Sequence, residues 1–260
     1  MIIMSYKIEA ACGCFGGNGR SNNEDNFFFH KKHLPKKNKG LRTPLKYKGT
    51  TDDFPLFAVF DGMGGEAKGE EAACIAAEVF ADELKQLDDL AISGKELFDL
   101  ACRKANTAVC DYSRAKQIGT MGTTVAALYF SQDEVFVGNV GDSKVFLIRN
   151  NQMTQVSKDH TDETILSSMG IIKKPVLLQY IGIPDTEMAL EPFVSKGDLQ
   201  TGDIYLICSD GVSDVLEPAE IYGFTKSYLK PEDVVKYTLA EIDKREGADN
   251  ATLIVVKIIG

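Results

Sequence analysis

The chain has 260 residues, 44% of them hydrophobic and 26% charged, an ordinary globular composition and long enough to bury a core without disulfides. Its 38 acidic and 29 basic side chains leave a net charge of −9, which argues against a nucleic-acid binder with a basic face and against attraction to anionic membranes. No stretch approaches the roughly 18 apolar residues of a membrane span. The first residues turn polar too soon for a secretory signal, and six unevenly spaced cysteines suit a reducing compartment. A cytoplasmic chain is expected.

Residues 5–12 and 25–30 read as two strands joined by a glycine-rich turn at 13–19. Residues 31–50 hold eight Lys and Arg and no acid, so the remainder of the chain carries −17. With Pro35, Pro44, Gly40 and Gly49, this segment reads as a loop, either a solvated connection or a docking surface for an acidic partner or phosphorylated substrate. The apolar run 54–60 marks a buried strand. A helix is expected from about Glu66, with Ala76, Val79, Phe80, Leu84 and Leu87 on one stripe. A second begins at Ser93, where Ser93 and Glu96 form a capping box, and runs to about 115. Strands at 123–130, 134–140 and 143–149 read as an antiparallel meander. Residues 160–200 read as a short helix at 161–169 and then a mobile lobe. A buried strand at 203–209, helices near 217–228 and 231–244 and a strand at 251–259 complete an α+β domain.

The carboxylates recur at strand ends. Apolar runs lead into Asp61-Gly62, Asp142-Ser143 and Asp210-Gly211, and Asp249 stands just before the last strand. Strand ends share edges of a sheet, so these four acids can converge. Packed carboxylates repel unless protonated or bridged by cations, and Mg²⁺ or Mn²⁺ prefers oxygen ligands. The bland alternative for each Asp-Gly is a turn. Upstream, Arg20, Glu24 and Asp25 put a guanidinium fork suited to phosphate beside two more acids; a local ion pair is the bland alternative.

The stretch Gly62-Met63-Gly64-Gly65-Glu66-Ala67 imitates a dinucleotide fingerprint, but Asp61 would sit against the pyrophosphate and no acid-terminated strand follows. The common NTPase, zinc-protease and serine-hydrolase motifs are absent. Cys12 and Cys14 lack a second pair for zinc, the other cysteines read as core residues, and His160 reads as structural.

Taken together, Arg20-x-x-Asn23-Glu24-Asp25, Phe60-Asp61-Gly62-Met63-Gly64-Gly65, Gly122-Thr123-Thr124, Asn139-Val140-Gly141-Asp142-Ser143, Ser209-Asp210-Gly211 and Asp249-Asn250 resemble, in order, the motifs of the metal-dependent type 2C serine/threonine phosphatases. The resemblance implies a four-layer α-β-β-α sandwich of two antiparallel sheets flanked by helices, here filling 1–260, with two Mn²⁺ or Mg²⁺ ions at one end and a possible third. By that resemblance Asp61 bridges both ions and Gly62 offers its carbonyl. Asp210 and Asp249 complete one ion, while Glu24 and Asp25 serve the other. Asp142 with Asp210 corresponds to the third, weaker site, Arg20 grips the substrate phosphate, and the 160–200 lobe is the flap.

The implied reaction is in-line attack of a metal-bridging hydroxide on phosphoserine or phosphothreonine in proteins, with no Ser, Cys or His nucleophile. Met63 stands where many eukaryotic members have His, which points to the bacterial type and leaves the general acid unassigned. The expected partners are phosphorylated proteins, the products of a Ser/Thr kinase, with a monomer and no nucleic acid or membrane. The alternative is a catalytically inactive member that binds phosphoproteins or regulates.

Overall fold

The computed structural model describes residues 5–17, 20, 22–63, 68–85, 93–245 and 249–260. The expected helix start at Glu66, the stripe position Leu87, Gly64 and Gly65 lie outside these residues.

Two antiparallel sheets face each other. The first takes its order as β3 (Leu45–Thr50), β1 (Lys7–Phe15), β12 (Ala251–Ile259), β11 (Ile204–Cys208), β8 (Lys144–Arg149) and β9 (Gln152–Gln155). The second runs β10 (Phe193–Asp198), β7 (Glu134–Val140), β6 (Val125–Ser131), β4 (Leu56–Met63) and β2 (Asp25–Phe29), with short β5 (Gly122–Thr123) added to β4. Helices α1 (Gly69–Lys85) and α2 (Gly94–Lys116) cover the second sheet, and α5 (Pro218–Ser227) with α6 (Pro231–Asp243) covers the first. Short helices α3 (Glu163–Ser168) and α4 (Asp210–Ser213) complete the order. This is the α-β-β-α sandwich the resemblance implied.

The central strands are apolar throughout because both of their faces are buried. On β4, Phe57 and Val59 point between the sheets, where they join Phe27, Phe29, Leu128, Phe130, Ile254 and Val256. Ala58 and Phe60 point the other way, onto Ala73, Ala76 and Phe80 of α1. β12 alternates likewise, with Leu253 and Val255 meeting Val234 and Val235 of α6. Truncating a ring such as Phe57, which has no exposed surface, would cost about 3–5 kcal/mol. The Ser93 cap holds as expected: its side chain accepts from the Glu96 amide while Glu96 accepts from the Ser93 amide.

Four readings of the chain change. First, β1 and β2 are not partners; the segment between them crosses from one sheet to the other, and Gly13 lies inside β1. Second, the basic segment is only partly loop. It ends in β3, an edge strand paired with β1, in the setting where exposed lysines such as Lys46 and Lys48 are favoured. Third, the meander breaks at Gly141-Asp142. β6 and β7 pair, but β8 joins β11 in the opposite sheet and turns through Asn150-Asn151, both at positive φ, into β9. Fourth, the 160–200 lobe contains β10, which extends the second sheet beyond β7. Among its apolar side chains, Ile165, Met169, Ile171, Ile172, Val176 and Leu178 are exposed.

Candidate functional site

The acids converge where the two sheets open at one end. Asp25 opens β2 and lies directly opposite Asp61 of β4 in the antiparallel register. Asp210 starts α4 just after β11, and its amide faces Asp61 Oδ2 at 3.4 Å. Asp249 stands two residues before β12, near Asp25 and Glu24, and makes a 2.7 Å ion pair with Arg20. Asp142 follows β7 and reaches the field of Asp61 and Asp210. Thus every candidate named from the sequence is drawn into one region. The idea that each acid sits at a strand end needs adjustment: Asp61 lies inside β4, and Asp210 opens a helix.

Neither Asp-Gly is a turn. A Cβ on Gly62 would lie 2.3 Å from the Gly69 carbonyl oxygen and 2.5 Å from that of Glu24. One on Gly211 would lie 1.9 Å from the Asn250 carbonyl oxygen. Both glycines exist because backbone passes against backbone, and that close approach brings Glu24 toward Asp61 and Asp249 toward Asp210.

The motifs around the acids hold their backbones. Thr124 donates its amide to the Asp61 carbonyl at 2.8 Å, and its hydroxyl accepts from the Asp61 amide at 3.1 Å. Thr123 donates its hydroxyl to the same carbonyl at 2.9 Å, while Thr124 and Ser143 share a hydroxyl contact of 2.6 Å. Asn250 accepts from the Glu24 amide at 2.8 Å and donates to the Gly16 carbonyl at 2.7 Å, tying the first crossing to the last strand. His160 accepts from the Gly141 amide at 3.2 Å and so fixes the sheet-to-sheet crossing, a structural role as read from the sequence.

Three participants were missed. Ser209 and Thr252 donate their hydroxyls to Asp25 Oδ2 at 2.8 and 2.7 Å. Lys174 of the 160–200 lobe reaches Asp210 and Asp214 at 3.4 and 3.2 Å. No local signal marks Lys174, because only the folded lobe carries it to the site; Ser209 was legible as the residue beside Asp210.

Arg20 and Lys174 offset only part of the cluster's charge. Burial, followed by the charges of Asp25, Asp210 and Asp142, raises the Asp61 carboxyl well above its usual range. Asp25, only 2% exposed, is pushed up to about 7, chiefly by burial and despite its two hydroxyl donors. Burial and then Asp210 raise Asp142 to about 6. Burial and Glu70 raise Glu24. An all-oxygen donor set that holds its own charges at a cost fits hard divalent cations. Among the described residues these acids do not close into one tight shell. His33, Cys74 and Glu78 do group closely elsewhere. There the Cys74 thiol already donates to Glu78 and to the Leu34 carbonyl.

Similarity to known proteins follows the same outline. The protein phosphatase 2C family model matches residues 46–242. That span includes Asp61, Gly62, Asp142 and Asp210; Arg20, Glu24, Asp25 and Asp249 lie outside it. The serine/threonine phosphatase stp of Listeria innocua is 28% identical over 219 residues, covering 79% of this chain and 85% of that protein. The serine/threonine protein phosphatase PstP of Mycobacterium tuberculosis is 30% identical over 223 residues, covering 78% of this chain and 40% of that longer protein. The catalytic domain of PstP, solved in complex with two manganese ions, superposes with a TM-score of 0.76 at 26% identity, over 98% of this chain and 100% of that one. The chain belongs to the protein phosphatase 2C family.

Proposed function

We propose that this chain is a divalent-metal-dependent serine/threonine protein phosphatase of the bacterial type, acting in the cytoplasm as a monomeric catalytic domain on the products of a Ser/Thr kinase. The observation that carries the reading is the convergence of acids on Asp61: Asp25 lies opposite it in the strand register and the Asp210 amide lies 3.4 Å from its Oδ2. Such a cluster is costly in an inert protein and useful where cations must be held.

Asp61 and the Gly62 carbonyl would lie between two ions, Mn²⁺ or Mg²⁺, with Asp210 and Asp249 on one side and Glu24 and Asp25 on the other. Asp142 with Asp210 would serve a weaker third. When bound, the ions lower the pKa of coordinated water and offset charge on the phosphoryl group.

The chain's own residues supply position. Thr123 and Thr124 clamp the Asp61 backbone, and Ser209 and Thr252 orient Asp25. Arg20, about half exposed at the rim, presents its donor fork to two phosphoryl oxygens. Water adds to phosphorus as the P–O bond to the Ser or Thr oxygen breaks, giving phosphate and the free hydroxyl. The Met63 thioether has no proton to give, so it is not the group that protonates the leaving oxygen.

The test is hydrolysis of a phosphothreonine peptide with Mn²⁺, with chelator and by the Asp61→Asn variant. Activity with Mn²⁺ alone, lost in the other two, supports the reading. Full activity in chelator or in the variant removes it. No helix among the described residues is long and apolar enough to cross a membrane.

A further inference from the structure

The basic segment is not used by the catalytic cluster, yet the fold pins it to the cluster's edge. Asn23, fully buried, donates its side-chain amide to Asn38 Oδ1 at 2.9 Å and its backbone amide to the Asn38 carbonyl at 3.3 Å. Asn38 Oδ1 also accepts from the Gly40 amide at 2.8 Å, and Leu41 donates to the Cys14 carbonyl at 2.7 Å. Asn23 directly precedes Glu24. On the other flank, Lys36 Nζ lies 3.2 Å from Glu71. Glu71 stands two residues after Gly69, whose backbone packs against Gly62 and the Glu24 side chain.

Segment 36–39 is therefore held along the Glu24 side of the cluster. Lys46 and Lys48, further on, are engaged by Glu232 and Glu9. Lys37 and Lys39 are exposed and form no ion pair among the described residues. Outside residues 31–50 the chain carries −17, so the basic segment stands out against an acidic remainder.

Resting on the phosphatase reading, we infer that segment 36–39 is a docking surface for acidic residues flanking the phosphorylated side chain of a protein substrate. Exposed lysines give modest affinity but strong, salt-sensitive steering of an acidic partner. Asn38, rather than a lysine, carries the fixed geometry: its amide locks the strip while Lys37 and Lys39 point to solvent.

The experiment compares a phosphothreonine peptide flanked by Glu and Asp, the same peptide flanked by Gln and Asn, and a small aryl phosphate. The proteins are wild type, Lys37→Glu/Lys39→Glu, and Lys226→Glu/Lys236→Glu on α5 and α6, which changes the net charge equally outside segment 36–39. The proposal expects kcat/KM on the acidic peptide to fall roughly tenfold in the first variant at low salt, with the gap closing in high salt. The other two substrates, and all three with the second variant, should stay within about twofold. Equal losses on all substrates, an equal effect of the second variant, or no wild-type preference for the acidic peptide would each overturn it while leaving the phosphatase reading intact. A wild type inert toward even the aryl phosphate would remove that reading and the docking surface with it. Thermal melts of the variants confirm folding.

Discussion

The Lys174 ammonium lies 3.4 Å from a carboxylate oxygen of Asp210. It also reaches Asp214 at 3.2 Å, and these acids, Asp210 first, raise its pKa. A cation from the 160–200 lobe thus stands where Asp210 is proposed to meet a metal ion. The two compete for one carboxylate. Lys174→Ala is expected to tighten Mn²⁺ binding a few-fold, a modest effect because the lysine is largely exposed. Isothermal calorimetry reads this directly, and weaker binding in the variant would reverse the assignment.

Asp61 offers a contrast between stability and function. In chelator its charge is opposed by burial and by Asp25, Asp210 and Asp142. Asp61→Asn keeps the shape and removes the repulsion, so the metal-free variant should melt about 2–5 °C higher than wild type. Its hydrolysis of a phosphopeptide should fall by at least about a hundredfold. A lower melting temperature would show that the carboxylate contributes favourably to the metal-free fold.

The glycines of the two Asp-Gly pairs answer to packing. A Cβ on Gly211 would press to 1.9 Å from the Asn250 carbonyl oxygen. Gly211→Ala should therefore force Asp210 and Asp249 apart, lowering both melting temperature and activity. Gly223 in α5 has nothing within 4 Å of the same position. Gly223→Ala should leave activity unchanged and add about 0.5–1 kcal/mol of stability, the helix preference of Ala over Gly. Denaturant unfolding of the pair checks both signs.

The cysteines should be chemically silent at neutral pH. Burial pushes Cys14 and Cys208 up to about 12 and Cys74 to about 11. At pH 7.5 a thiol of pKa about 11 is ionised in roughly one molecule in 3,000. Iodoacetamide should leave activity intact near pH 7.5, with labelling of Cys74 rising only toward alkaline pH. The sign for stability follows from the folded state favouring the neutral thiol. This contribution is flat below the unfolded pKa near 9 and falls as pH rises beyond it. Rapid inactivation at neutral pH would place a reactive thiolate in the site.

The chain by itself determined its layers and its chemistry. The apolar runs at β4, β11 and β12 read as buried strands because they are buried on both faces, and the Ser93 cap needs only residues three apart. Asp61, Asp142, Asp210 and Asp249 were legible because each stands at the margin of such a run. Tertiary structure decided which strands are neighbours. β1 and β2, and β7 and β8, follow each other in sequence but lie in opposite sheets, since a two-sheet sandwich closes its core only when the chain crosses between them. It also decided why the glycines are there and what surrounds the acids. The hydroxyls of Ser209 and Thr252 on Asp25, Lys174 over Asp210 and the pinning of Asn38 to Asn23 are contacts between residues 15 to 227 positions apart. Such contacts carry no local period or cap, and only folding brings them within reach.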